Sequence, residues 1–167
     1  MNIVLCGMMG AGKTCVGKRL AELTKKSFVD TDELIVREHG AITEIFKNHG
    51  EEYFRGLERK TAETLANQDG LIIATGGGFV LCENNASLLK QKGKIVFLQA
   101  SEETLINRLI ADESRPLLQT GDLSNKIHTL LKERTPVYEK IADYTVQVDK
   151  KTIEETAEEI IKKVIEQ

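Results

Sequence analysis

The chain reads Gly7-Met8-Met9-Gly10-Ala11-Gly12-Lys13-Thr14 near its start, and every fixed position of G-x-x-x-x-G-K-[ST] is filled. Glycines at this spacing let backbone N–H groups curl around polyphosphate oxygens, and the start of the following helix adds favourable partial charge. Lys13 is long enough to reach β- and γ-phosphates, and the Thr14 hydroxyl is a hard oxygen ligand suited to Mg²⁺. The alternative is a glycine-rich turn that binds nothing. An apolar strand before the motif and an amphipathic helix after it weigh strongly against that reading. The motif specifies nucleoside triphosphate phosphates and leaves the reaction open.

Other residues suit a second substrate. Phe28-Val29-Asp30-Thr31-Asp32 puts two carboxylates two residues apart at the end of an apolar run. If the chain is still extended there, both point to one side, one toward a Mg²⁺ water shell and one toward an acceptor hydroxyl. Helix capping by Thr31 or Asp32 explains the same residues equally well. Thr75-Gly76-Gly77-Gly78 removes three successive β-carbons, so backbone there can approach a ligand closely. Arg55, beside Phe54 and three residues before Glu58, fits either a surface ion pair or an anion contact. Arg134 lies on an apolar stripe with Leu130, Leu131 and Tyr138, where a cation requires a partner such as an anionic substrate. Thr135-Pro136 predicts a local interruption of its helix. Arg108 and Arg115 flank a polar segment containing Pro116 and Gly121. That segment is either a plain loop or a lid, about residues 111–122, that brings an arginine onto transferring charge.

These side chains need a frame. Apolar runs at Ile3-Val4-Leu5, Phe28-Val29, Leu71-Ile72-Ile73-Ala74 and Ile95-Val96-Phe97-Leu98 read as strands, the last two buried on both faces. Residues 144–148 alternate instead, as expected of a strand near a sheet edge. Helical spacing follows the phosphate loop at Val16, Leu20 and Leu23, includes Leu34-Ile35, and marks residues 51–66, 102–111 and 123–141. A last helix opens on Thr152-Ile153-Glu154-Glu155, a capping-box spacing. Strands separated by helix-length crossovers predict one α/β domain, a parallel sheet with helices on both faces.

Composition narrows the class further. The 167 residues are 41% hydrophobic and 29% charged, with 23 Lys+Arg against 26 Asp+Glu, a net charge of −3. That balance disfavours broad nucleic-acid binding, so a cationic site must be local. The first residues lack the basic and apolar pattern of a signal or membrane segment. Cys6, Cys15 and Cys82 are odd in number without C-x-x-C spacing, and His39, His49 and His128 lack ligand spacing. A reduced, cytoplasmic setting with no membrane partner is expected.

In order along almost the whole chain, these features resemble shikimate kinases, small P-loop enzymes of the nucleoside-monophosphate-kinase-like group. The resemblance rests on residues 7–14, Asp30-Thr31-Asp32, Gly50-Glu51-Glu52-Tyr53-Phe54-Arg55, Thr75-Gly76-Gly77-Gly78, Arg115-Pro116-Leu117 and residues 134–138. It implies a single three-layer P-loop kinase domain over residues 1–167, with a five-stranded parallel sheet in order 2-3-1-4-5. A substrate-binding segment near residues 31–60 and a lid near 111–122 would accompany it. It also implies ATP and shikimate as substrates, Mg²⁺ as cofactor and a monomer. Gly10, Ala11, Gly12, Lys13, Thr14 and Cys15 would hold ATP phosphates, with Thr14 on Mg²⁺ and Asp30 supporting the metal through water. Arg108 would lie near the adenine, and Arg115 would come from the lid to the phosphates. Asp32, Arg55, Gly77 and Arg134 would hold shikimate, the two arginines clamping its carboxylate. Lys13, Asp32 and Arg115 would be the catalytic set. Many members carry an arginine near Asn85-Ala86, where this chain has none.

Two other classes compete. A gluconate kinase would also phosphorylate a hydroxylated carboxylate, but the Asp-Thr-Asp, Phe-Arg and Thr-Gly-Gly-Gly set favours shikimate. A GTP-dependent switch should carry Asn-Lys-x-Asp. The one Asn-Lys here, Asn125-Lys126, continues Ile127-His128.

Overall fold

The computed structural model describes residues 1–111 and 123–167. Five parallel strands form one sheet: β1 (Asn2–Cys6), β2 (Ser27–Asp30), β3 (Leu71–Ala74), β4 (Gly93–Gln99) and β5 (Tyr144–Gln147). Their order is β2-β3-β1-β4-β5, as the resemblance implies. β1 lies between β3 and β4, with Val4 opposite Ile73 on one side and Ile95 on the other. All five β1 residues are buried. Because successive strand side chains point to opposite faces, this requires cover on both sides of the sheet. The alternating segment forms β5, at the sheet edge beside β4.

Eight α-helices surround the sheet among the described residues: α1 (Lys13–Thr24), α2 (Thr31–His39), α3 (Ile42–His49), α4 (Glu51–Ala66), α5 (Glu83–Lys90), α6 (Glu102–Ala111), α7 (Leu123–Ile141) and α8 (Ile153–Val164). The capping box at α8 is complete. The Glu155 N–H donates to Thr152 Oγ1 at 3.1 Å, and the Thr152 N–H donates to Glu155 Oε2 at 2.7 Å.

Two helices, α3 and α5, are not expected from the sequence pattern. Both are eight residues long, too short for periodicity to stand out. α3 is held by tertiary packing: Ile45 joins Ile35, Phe54 and Leu57 in a small core separate from the main one, with Ile42 and Phe46 against it. The interruption expected at Pro136 does not occur, since α7 runs through it to Ile141. Proline removes the bond to the carbonyl four residues back, at Lys132, but both residues are exposed, so that side of the helix faces solvent. Half a turn on, buried Tyr138 anchors the helix against Phe97 of β4.

The departure near Asn85-Ala86 falls on the buried face of α5. Asn85 Nδ2 donates to the Phe79 carbonyl at 2.9 Å, holding the 3₁₀ turn Phe79–Leu81 that follows the glycine triplet.

Candidate active site

The carboxyl ends of β1, β2 and β3 open into one cleft of about 800 Å³. This is where a parallel α/β sheet places its ligands, because loops there diverge toward opposite faces.

The phosphate loop leaves β1 and enters α1 through Gly12, whose φ of +94° is open to glycine and strained for other residues. Among the described residues no side-chain hydrogen bond caps α1 at Gly12, and a helix start of this kind suits an anionic ligand. Lys13 Nζ is folded onto the Gly7 and Met8 carbonyls at 2.6 and 2.9 Å, within the loop that would cradle phosphate. Gly10, Ala11, Gly12, Thr14 and Cys15 all line the cleft beside it. Arg108 of α6 donates to the Gly10 carbonyl at 3.1 Å, and Lys151, Thr152 and Ile153 also line the cleft.

At the end of β2 the two readings of the carboxylates converge on one residue. Asp30 Oδ1 accepts from the N–H groups of Asp32 and Glu33 at 3.0 and 3.2 Å, so Asp30 caps α2. Its other oxygen, Oδ2, accepts from Thr14 Oγ1 at 3.0 Å. The cap expected at Thr31 or Asp32 is thus one or two residues earlier, and the chain is already helical at Thr31. Asp32 reaches the cleft from the first turn of α2 rather than from an extended strand. Thr31 is buried, and its hydroxyl accepts from the Gly76 N–H at 3.0 Å, which fastens the glycine triplet to α2. Thr75 Oγ1 donates to the Leu5 carbonyl at 3.0 Å, fastening the same turn to β1.

The triplet is where the acceptor end of the cleft is assembled. None of its glycines has a positive φ, so space rather than backbone freedom demands them. A β-carbon on Gly76 would sit 2.7 Å from Asp32 Oδ1, one on Gly77 2.9 Å from Arg134 Nη1, and one on Gly78 2.5 Å from Arg55 Nη1. Each glycine makes room for a different charged side chain, and the three side chains come from α2, α7 and α4. Ile42, Phe46 and Phe54 add apolar wall to the same cleft, with the Arg55 guanidinium 5.4 Å above the Phe54 ring.

Arg55 does pair with Glu58, as the ion-pair alternative expected, but the pair is not on the surface. The Glu58 side chain is only 2% exposed, and Arg55 also lies 3.4 Å from Glu51. Burial, seconded by the charge of Asp32, holds the Glu58 carboxyl above the usual carboxylate range, while Arg55 and Arg134 pull it back down. Glu58 is thus a cleft residue, where its spacing from Arg55 alone suggests a surface partner. The signal was available: four residues after Phe54, it shares the stripe of α4 that buries Phe54 and Leu65. Arg115 and the proposed lid beyond Ala111 lie outside the described residues.

The all-parallel order β2-β3-β1-β4-β5, with a glycine loop closing on Lys13 and Thr14 at its central strand, defines a P-loop kinase fold. A family model described as shikimate kinase matches residues 9–165. The chain is 45% identical over 165 residues to the shikimate kinase of Caldanaerobacter subterraneus subsp. tengcongensis, covering 98% of this chain and 96% of that protein. It is also 45% identical to the shikimate kinase of a Sulfurihydrogenibium species, with 98% and 97% covered. Among solved structures it superposes on a shikimate kinase from Acinetobacter baumannii in complex with shikimate at a TM-score of 0.89. That protein is 40% identical, with 96% of this chain and 90% of that chain covered. The chain belongs to the shikimate kinase family, whose members are ATP-dependent kinases.

Proposed function

We propose that this chain transfers the γ-phosphoryl group of ATP to the 3-hydroxyl of shikimate, giving shikimate 3-phosphate for aromatic amino-acid biosynthesis. The observation that carries the reading is the glycine triplet, which backs one carboxylate and two guanidinium groups at one end of a cleft whose other end is a phosphate loop. A hydroxylated carboxylate needs both kinds of group.

Residues 10–15 hold the phosphates, and Arg108 borders the adenine. The Thr14 and Asp30 oxygens, 3.0 Å apart, form a hard donor set suited to Mg²⁺, Thr14 directly and Asp30 through water. The metal, when bound, neutralises charge on the β- and γ-oxygens. Lys13 exchanges its loop carbonyls for phosphate oxygens, and its charge offsets what develops on the transferring group. Asp32 accepts a hydrogen bond from the acceptor hydroxyl and orients it for in-line attack, with its carboxylate able to take the proton. Arg55 and Arg134 bind the shikimate carboxylate, and the Gly77 backbone contacts the substrate. Arg115 supplies a lid cation, an assignment that rests on the family resemblance. Residues 31–60 form the substrate-binding segment of a single-domain, monomeric, cytoplasmic enzyme.

Coupled ADP release, measured with shikimate, gluconate and nucleoside monophosphates in turn, tests the reading. Turnover with shikimate at least about a hundredfold above the others is expected. Preference for gluconate would transfer the clamp to an open-chain acid and overturn it.

A further inference from the structure

Among the described residues Tyr138 is the largest side chain that is completely buried, yet it carries a hydroxyl that core packing does not require. Its ring lies 5.1 Å from that of Phe97, tilted by 34°, which accounts for the aromatic part. The hydroxyl has a different task. It donates to the Gly77 carbonyl, and the Arg134 guanidinium stands beside it at the same glycine: a β-carbon on Gly77 would lie 3.9 Å from the hydroxyl and 2.9 Å from Arg134 Nη1. Arg134 and Tyr138 are one helical turn apart on α7, so their side chains reach the glycine triplet from one face. Gly77 is also the glycine whose missing β-carbon leaves room for Arg134 Nη1.

We infer that Tyr138 is a positioning residue for the acceptor carboxylate, because its hydroxyl joins the Arg134 guanidinium to the Gly77 backbone. The inference rests on the assignment of Arg134 and Gly77 to shikimate made above. A phenol offers one donor and two acceptor sites, so it can bridge a cation and a carbonyl at once. Phenylalanine would fill the same space and hold neither. The bridge fixes the guanidinium before substrate arrives, and it holds the Gly77 carbonyl of a turn whose Gly76 N–H is held by Thr31. Burial pushes the phenol up to about 12, so it remains a donor throughout the working pH range.

The test compares Tyr138→Phe, Arg134→Ala and the double variant with the parent enzyme. KM is measured for shikimate and for ATP, and melting temperature with and without saturating shikimate. The ring of Tyr138→Phe still packs on Phe97, so folding is preserved. The shikimate KM should rise about tenfold in Tyr138→Phe, the loss expected when a hydrogen bond to a charged group is removed. The ATP KM should stay within about twofold, and the shikimate-induced rise in melting temperature should shrink. Adding Tyr138→Phe to Arg134→Ala should weaken shikimate binding by less than about twofold further, because the bridge acts through Arg134. A lowered melting temperature with parental shikimate KM and parental ligand-induced stabilisation would make Tyr138 structural only and overturn the inference, provided Arg134→Ala loses shikimate binding. Parental shikimate binding in Arg134→Ala would overturn the clamp assignment itself, and the inference with it.

Discussion

Gly78→Ala separates the space argument from every competing explanation of the triplet. Gly78 has φ −93° and ψ −5°, a conformation alanine adopts without strain. The new β-carbon would lie 2.5 Å from Arg55 Nη1, 2.8 Å from Nη2 and 2.9 Å from Cζ. Ordinary contact begins near 3.4 Å, so the guanidinium must retreat by about 0.9 Å. What yields is the end of a flexible side chain rather than backbone, so the stability cost is under about 1 kcal/mol. The functional cost is larger. A displacement of that size breaks a charge-assisted hydrogen bond to the substrate carboxylate, worth roughly 1.5–3 kcal/mol, or about 10- to 150-fold in shikimate affinity. Steady-state kinetics with each substrate varied in turn, together with thermal melting, read both effects. Gly56→Ala in the middle of α4 is the control, since its β-carbon finds nothing nearer than Arg59 Nη2 at 3.7 Å. It should leave kinetics unchanged and raise stability by about 0.5–1 kcal/mol. An unchanged shikimate KM in Gly78→Ala would refute the reasoning, and so would an equal rise in both KM values.

Lys13→Ala should lower turnover at least about 10²–10³-fold with the fold intact, measured by ADP release; parental turnover would remove the phosphate-loop assignment. For Asp32→Asn the expected change is a fall in kcat of about 10²–10⁴-fold with melting temperature close to the parent. A kcat near normal would take Asp32 out of the mechanism. Glu58 makes a prediction about pH. Its carboxyl is held above the ordinary value of 4.5 in the folded protein, chiefly by burial, so the folded state disfavours its ionised form. Its contribution to stability is therefore fully present below pH 4.5 and declines as pH rises through the elevated value. Glu58→Gln should lack that decline, so the stability difference between variant and parent should move in the variant's favour as pH rises above 4.5; a difference independent of pH across the range would contradict this.

Most of the fold was legible because strand and helix signals are local. β1, β3 and β4 are short apolar runs with no alternation, and strands covered on both faces must look like that. The capping box announced α8 from four consecutive residues. α3 has no such local announcement. Its packing partners Phe54 and Leu57 come from α4 and Ile35 from α2, so its formation depends on contacts between helices. The expected break at Pro136 failed for a related reason. A local rule about one missing N–H was outweighed by the packing of Tyr138 one half-turn further along.

The site divides along the same physical line. The phosphate loop is contiguous backbone, so eight residues suffice to specify it, and its Lys13 and Thr14 are found in the cleft where they were expected. The acceptor end is a juxtaposition of segments far apart in the chain. Gly76 meets Asp32, Gly77 meets Arg134 and Gly78 meets Arg55, and no spacing in the sequence encodes those pairings. Residue type still betrayed them, since a triple glycine and an arginine on an apolar stripe are each costly without a reason. What residue type could not reveal is that the two oddities explain one another. The glycines are small because the charged side chains occupy the space, and the arginine tolerates its position because the glycine backbone and the Tyr138 hydroxyl lie against it. Asp30 shows the same economy at the other end: a single carboxylate caps α2 with one oxygen and meets Thr14 with the other. The capping and metal-support readings competed only while each was thought to need its own residue.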